Sequence, residues 1–289
     1  MEDDIVTYVT SIAGTAFFCG VGLFLILESI APLRAIKVAP MTRWVGNVGL
    51  ALINSLVLRW ATALLGLGAA FTARENGWGL LNAFELPLIV EITASVLIVD
   101  LVLYVCHRLY HASDLLWRFH VVHHSDRAID ITTGLRFHPF EACASGGASA
   151  VAAVLFGISP AGLVIHHFLN GVDALFGHAN LRTPGWLDRA LSLVLVTPRF
   201  HHVHHAAGET DYNNNLGIVF TVWDRLFGTY RARDTAWLET MSIGVEGCET
   251  NRRFTLPWLL AQPFLSSGND EERKEPDSTK EAKRFVDAK

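Results

Sequence analysis

The chain has 289 residues, a net charge of −5, and only 18% charged residues against 51% hydrophobic ones. A soluble domain carries about 25% charged residues, so this deficit, with a mean hydropathy of +0.32, argues for a membrane protein. No basic patch accompanies the mild negative charge, which argues against a nucleic-acid partner.

In chain order, residues 5–27 carry no charge between Asp4 and Glu28. Roughly 20 such residues, at about 1.5 Å rise each, cross about 30 Å of hydrocarbon. The preceding "MEDD" is acidic where a cleavable signal needs positive charge, and no small-residue cleavage site follows. A membrane helix ending near Glu28 is therefore expected, then a short basic loop with Arg34, Lys37 and Arg43. A second apolar stretch, Trp44 to Ala70, is interrupted by Arg59, whose charge should face protein, water or a headgroup rather than lipid. After "TARENGWG", a third run, "LPLIVEITASVLIVDLVLYVC", leads directly into the first histidines. Ala142 to Val172 is again uncharged but is broken by "GISPAG". Pro160 disfavours helix at Ser159, so this reads as a hairpin of two half-spanning helices or one kinked helix. The Arg34 to Arg43 loop is assigned to the cytoplasm by its positive charge. With helix two running out and helix three back, both histidine clusters face the cytoplasm. Cys19, Cys106, Cys143 and Cys248 are scattered without a CxxC pair and are read as buried apolar filler.

The histidines carry the chemistry. "CHRLYHASDLLWRFHVVHH" (106–124) holds five, and "TPRFHHVHH" (197–205) holds four more. On a helix His107 and His111 stack on one face, as do His120, His123 and His124, and again His201, His204 and His205. Thr197 is the expected N-cap of the last of these helices, with Pro198 at its first position. Neutral imidazole is the commonest metal ligand, and eight exceed what one tetrahedral ion uses, so two ions sharing the set account for the number. A lone histidine in an apolar helix is most often a hydrogen-bonded core residue; that reading is assigned to His166, His167 and His202. HRLYH lacks the glutamate of a metalloprotease HExxH. His178, at the exit of the last apolar segment, is a further candidate ligand. His138 is an additional ligand or a residue facing the site or substrate beside Arg136 and Glu141. Asp100, seven residues before His107, could accept the second N–H of a ligand histidine. Asn180 is a further candidate near the site. Ligand softness alone leaves iron, copper and zinc open.

"HRLYH", "HVVHH" and "HHVHH", followed by "YNNNLGIVFTVWDRLFGTY", resemble the fatty acid hydroxylase/sterol desaturase superfamily of membrane di-iron oxygenases, over roughly residues 95–232. The resemblance implies an all-α fold: a polytopic membrane helix bundle with a cytoplasmic histidine-rich di-metal cap. Its parts would be N-terminal transmembrane helices (1–94), a catalytic domain (95–232), a C-terminal cap segment (233–265) and a disordered tail (266–289). It implies two irons held by His107, His111, His120, His123, His124, His178, His201, His204 and His205. Some relatives place another ligand four residues before His178, where this chain has Ala174. The implied reaction is O2-dependent hydroxylation or desaturation of an unactivated C–H bond in a fatty acyl, sterol or ether lipid. Trp117 and Trp223, close to the boxes, are candidate lining residues for lipid entry or interfacial anchors. The chain contains no HPGG heme motif, four-cysteine cluster or GxGxxG fingerprint, so electrons are expected from an external reductase with a ferredoxin or cytochrome. A membrane heme protein would instead use isolated mid-membrane histidines such as His166 or His167. A metal transporter would want acidic residues along its spans, where only Glu91 and Asp100 are found.

Overall fold

The structure, a computed structural model, describes residues 1–36, 40–245 and 254–265. Among these the chain is helical; no strand forms, and the only β pairings are isolated bridges such as Leu195 with Phe220. The longer helices are α1 (Glu2–Ile30), α2 (Pro40–Ile53), α3 (Arg59–Glu75), α4 (Leu88–Ala112), α5 (Asp114–His124), α6 (Pro139–Phe156) and α7 (Pro160–His178). The shorter ones are α8 (Gly185–Leu191), α9 (Pro198–His204), α10 (Glu209–Tyr212), α11 (Val222–Leu226), α12 (Thr235–Thr240) and α13 (Leu256–Ala261).

Among the described residues three helices, α1, α4 and α6, are long and apolar enough to cross a membrane. Phe18 and Ile26 of α1, Ile89 of α4, and Val151 and Leu155 of α6 point outward and exposed, as lipid-facing side chains do. The "GISPAG" break resolves as two separate helices. Gly157 closes α6 in the left-handed conformation (φ 66°), and Ser159 caps α7 by accepting from the Gly162 amide, with Pro160 at its first position. Over the Trp44 to Ala70 stretch, α2 passes through a π-helical turn, Asn54–Leu58, directly into α3. Asn54 at that break donates to the Phe137 carbonyl at 2.9 Å. The side chain of Arg59 lies outside the described residues, as do Lys37, Cys248 and the 266–289 segment.

In lipid, apolar surface gains little by leaving its solvent, so helices are held by close contact and internal polar bonds. α1 packs on α7, α3 on α6, and α4 on both α6 and α7. Ala70, Val99, Leu103, Ala153, Ile158 and Leu163 form one buried cluster where α3, α4, α6 and α7 meet. At one end of the bundle the Glu2 carboxylate accepts from Ser159 Oγ (2.7 Å) and the Ala161 amide (3.1 Å) and pairs with Arg74. The acidic N-terminus thereby clamps α1 to the start of α7.

Two expectations are corrected here. Cys19 and Cys143 are exposed and Cys106 half-buried, because they sit on outward faces of helices α1, α6 and α4, where lipid solvates a thiol as well as a core does. Arg43, placed in a solvated basic loop, is fully buried on α2. It pairs with Asp126 (2.8 Å) and with Asp130, both buried. Arg136, also fully buried, donates to the Val122 carbonyl, Asn47 and Ser125. These two guanidiniums bolt α2 onto the 125–136 turn between α5 and α6. The same end gathers the tails of α1, α4 and α7 and the start of α6.

Candidate metal centre

At that end nine imidazoles converge. His107 and His111 come from the last turns of α4, and His120, His123 and His124 from α5, which Ser113 caps by accepting from the Leu116 amide. His178 is the last residue of α7. His201 and His204 lie on α9 and His205 follows it; Thr197 caps that helix by accepting from the Phe200 amide (3.3 Å), with Pro198 at its first position, as the sequence predicts. All nine rings are at most 7% exposed.

They divide into two groups. His107, His111, His120, His124 and His204 form one, and His123, His178, His201 and His205 the other; within each, one nitrogen per residue lies within 4.8 Å of all the others. The nearest approaches are close. His120 Nε2 is 3.2 Å from His107 Nε2 and 3.1 Å from His124 Nε2. His178 Nε2 is 3.1, 3.0 and 3.2 Å from the Nε2 atoms of His123, His201 and His205.

The tautomers decide what these approaches mean. His107 Nδ1 donates to the Leu216 carbonyl (2.8 Å), and His120 Nδ1 donates to Glu141 Oε1 (2.8 Å). A neutral imidazole carries one N–H, so these two Nε2 atoms face each other as bare lone pairs. His178 Nδ1 likewise donates to the Ala174 carbonyl (2.8 Å), leaving its Nε2 bare among three neighbours. Facing lone pairs repel unless a cation lies between them. Two nitrogens each about 2.1 Å from one ion, at 90–109°, would sit about 3.0–3.4 Å apart. The observed spacing fits an ion in each group.

Electrostatics keep the rings ready to ligate. Burial pushes His123, His124, His201, His204 and His205 well below the ordinary imidazole range, and neighbouring imidazoles push the same way. At neutral pH they are uncharged, with a free lone pair each.

The remaining candidates lie elsewhere. His138 caps α6: its Nδ1 accepts from the Phe140 amide and its Nε2 donates to the Leu260 carbonyl, so it holds the C-terminal segment and belongs to neither group. Asp100 is fully buried but bonds to His166 Nε2 (2.9 Å) and Trp223 Nε1 (2.7 Å), not to His107. Seven residues place it nearly two helical turns from His107, too far for a direct bond. Trp223 is thus tied inside the bundle. Asn180 exchanges bonds with the Arg34 backbone and clasps the chain after α1. His166 is a hydrogen-bonded core residue, as its isolation suggested. His202 is buried against the backbone of His178 and Ala179, with burial lowering it to about 3.

Several site residues escaped the sequence reading. Glu141 was noted only as a neighbour of His138, although an acid in the first turn of a helix after a histidine is a detectable signal. The backbone acceptors at Leu216 and Asn214 leave no mark in residue type. Tyr212 stacks with Trp117, already a candidate from the sequence (centroids 5.3 Å apart), and both rings lie against His111 and His124. Phe137 stacks on His123 at 4.5 Å.

With the geometry established, comparison with known proteins is decisive. The fatty acid hydroxylase family model matches residues 92–229, from α4 through α11. This segment belongs to the fatty acid hydroxylase family. Over 191 residues the chain is 33% identical to ornithine lipid hydroxylase OlsE of Rhizobium tropici, covering 64% of this chain and 54% of that protein. It is 30% identical to alkylglycerol monooxygenase of Caenorhabditis elegans over 134 residues, 46% of this chain and 25% of that one. It is also 30% identical to a cholesterol 25-hydroxylase-like protein of Danio rerio over 146 residues, 50% of this chain and 57% of that one. The chain thus spans about half the length of the first and third of these relatives and a quarter of the second. No solved structure matches it.

Proposed function

We propose that this chain is a membrane-bound di-iron oxygenase that hydroxylates, or desaturates, an unactivated C–H bond of a lipid, using O2 and electrons from an external reductase with a ferredoxin or cytochrome. The observation that carries the reading is the convergence of histidine Nε2 atoms from separate helices at 3.0–3.2 Å, among them the bare Nε2 atoms of His107 and His120 facing each other. Iron is chosen over copper or zinc from the family, and a lipid substrate from the relatives, named for an ornithine lipid, an alkylglycerol and cholesterol. The five-histidine group would hold one ion and the four-histidine group the other; bound iron would supply the redox chemistry that O2 activation requires.

The chain's own residues prepare that chemistry. Glu141 and the Leu216, Asn214 and Ala174 carbonyls take the Nδ1 protons of His120, His107, His204 and His178, so each Nε2 is presented unprotonated and in a set direction. Trp117, Tyr212, Phe137 and Tyr110 pack on the rings and keep water from them. A lipid chain would approach the centre from the bilayer, because His107 and His111 occupy the end of α4, a helix long and apolar enough to cross it. We place this end in the cytoplasm on the positive charge of Arg34 and Lys37, which follow α1.

Metal analysis of protein purified in detergent tests the reading. Two irons per chain are expected, with metal lost on His123→Ala or His204→Ala, and lipidomics of a deletion strain should reveal a missing hydroxylated or desaturated lipid. A Soret band, or variants keeping full metal and activity, would overturn it.

A further inference from the structure

The stretch after the last histidine box has no ligand in it, yet it touches the centre twice. Asn214 O accepts from His204 Nδ1 (3.1 Å) and Leu216 O accepts from His107 Nδ1 (2.8 Å). Both rings belong to the five-histidine group, and they come from different helices, α9 and α4. Two carbonyls of one three-residue backbone segment therefore orient two of that group's five rings.

Two buried side chains hold this segment. Asn215, between the two carbonyls, has φ 56° and is fully buried. Asparagine tolerates this left-handed conformation better than most residues. Its amide donates to the Phe200 carbonyl on α9 and to the Arg231 carbonyl, both at 2.8 Å, and its oxygen accepts from the Arg231 amide at 2.7 Å. Asp224, on α11 and also fully buried, accepts from the Leu216 amide (2.7 Å), the Gly217 amide (2.8 Å) and Thr229 Oγ1 (2.7 Å). The peptide that receives His107 on its carbonyl is thus pinned by Asp224 through its amide. Asp100 holds the continuation through the Val219 and Phe220 amides (3.2 and 3.3 Å).

We propose that Asn215 and Asp224 are positioning residues for the five-histidine group: they fix the 214–216 backbone whose carbonyls set the tautomer and direction of His204 and His107. The four-histidine group receives no bond from this segment; its one Nδ1 bonded to a carbonyl, that of His178, is bonded to Ala174. The inference rests on the two-metal reading above and predicts something that reading does not, namely that these residues act on one ion and not the other.

Cobalt(II) titration of the full chain in detergent, stripped of metal, separates the two ions. On a His178→Ala background only the five-histidine group remains intact. There Asp224→Asn and Asn215→Gly should each weaken cobalt binding about 10- to 100-fold, the usual effect of removing an outer hydrogen-bond partner of a ligand histidine. Asn215→Gly keeps the left-handed backbone and removes only the side-chain bonds. On a His107→Ala background, where the four-histidine group remains, neither substitution should change the affinity. Asp224→Glu, which keeps the carboxylate, should restore part of the lost affinity. The proposal is overturned if both substitutions leave binding unchanged on the first background. It is equally overturned if they weaken both groups alike, because the segment then supports the fold rather than one site. Wild-type protein that binds no metal at all would instead refute the two-metal reading itself.

Discussion

Gly134→Ala tests how tightly the backbone around the four-histidine group is drawn. Gly134 lies in a short 3-10 turn, Thr133–Leu135, against the last turns of α7. A Cβ added there would lie 2.2 Å from the Ala174 oxygen, 2.9 Å from its carbonyl carbon and 3.2 Å from His178 Nδ1. Non-bonded carbon contacts are comfortable at about 3.5 Å, so turn or helix must retreat by more than about 1 Å. Neither retreats freely. The turn is held by the Arg43, Asp126 and Asp130 network, in which Thr133 Oγ1 donates to Asp126. The α7 carbonyl is the acceptor that orients His178, whose Nε2 meets three other histidines. Overpacking of this kind costs about 1–3 kcal/mol, and constellations of ligands tolerate only about 0.5 Å of displacement. Thermal unfolding of purified protein should fall by about 2–4 °C per kcal/mol, and on the two-metal proposal metal content should drop from two ions per chain toward one. Wild-type stability with two retained ions would refute the claim that this contact is rigid.

Other outcomes follow from the same geometry. His204→Ala and His123→Ala each remove one ring, from different groups, so on the two-metal proposal each should release one ion and spare most of the other in metal analysis of the purified variants. Arg43→Met leaves Asp126 and Asp130 buried without their cation and should cost about 3–5 kcal/mol by denaturant or thermal unfolding. Adding Asp126→Asn and Asp130→Asn should restore a good part of that loss. The buried imidazoles of α5 and α9 also make the metal-free protein acid-sensitive. Their folded values lie well below the unfolded value near 6.5. The unfolded state therefore binds more protons, and stability, fully present above about pH 6.5, declines as pH falls through and below that value. Each such histidine contributes up to about 1.4 kcal/mol per pH unit. Unfolding scans from pH 7.5 to 5 should show the decline without metal and one at least as steep with metal bound, because a bound ion keeps the folded rings unprotonated; a flat profile would contradict the neutral state of these rings.

Much of this was legible in residue order alone. Helical spacing put His107 with His111, His120 with His123 and His124, and His201 with His204 and His205; these rings and His178 are the nine that converge. The Thr197-Pro198 start and the Ser159-Pro160 break also read correctly, because capping and proline act through near neighbours in the chain. The candidate membrane helices α1 and α4 were visible as long apolar runs, and α6 as the first half of the run broken at Pro160, for a similar reason: hydrocarbon solvates each residue nearly independently of tertiary context.

What spacing could not supply was the partition of the rings and the assignment of their partners. HVVHH reads as one unit, yet His120 and His124 enter one group and His123 the other, because successive faces of one helix turn meet different neighbours. The sequence suggested Asp100 for a ligand histidine, but helix pitch gave it to His166 and Trp223. Arg43 read as a solvated loop charge and became a buried bolt, since its two carboxylates lie more than eighty residues away along the chain. Composition and local periodicity therefore determined the class of fold and the set of imidazoles. Only the packed chain decided which nitrogen faces which, because hydrogen-bond partners are chosen by distances that sequence separation does not encode.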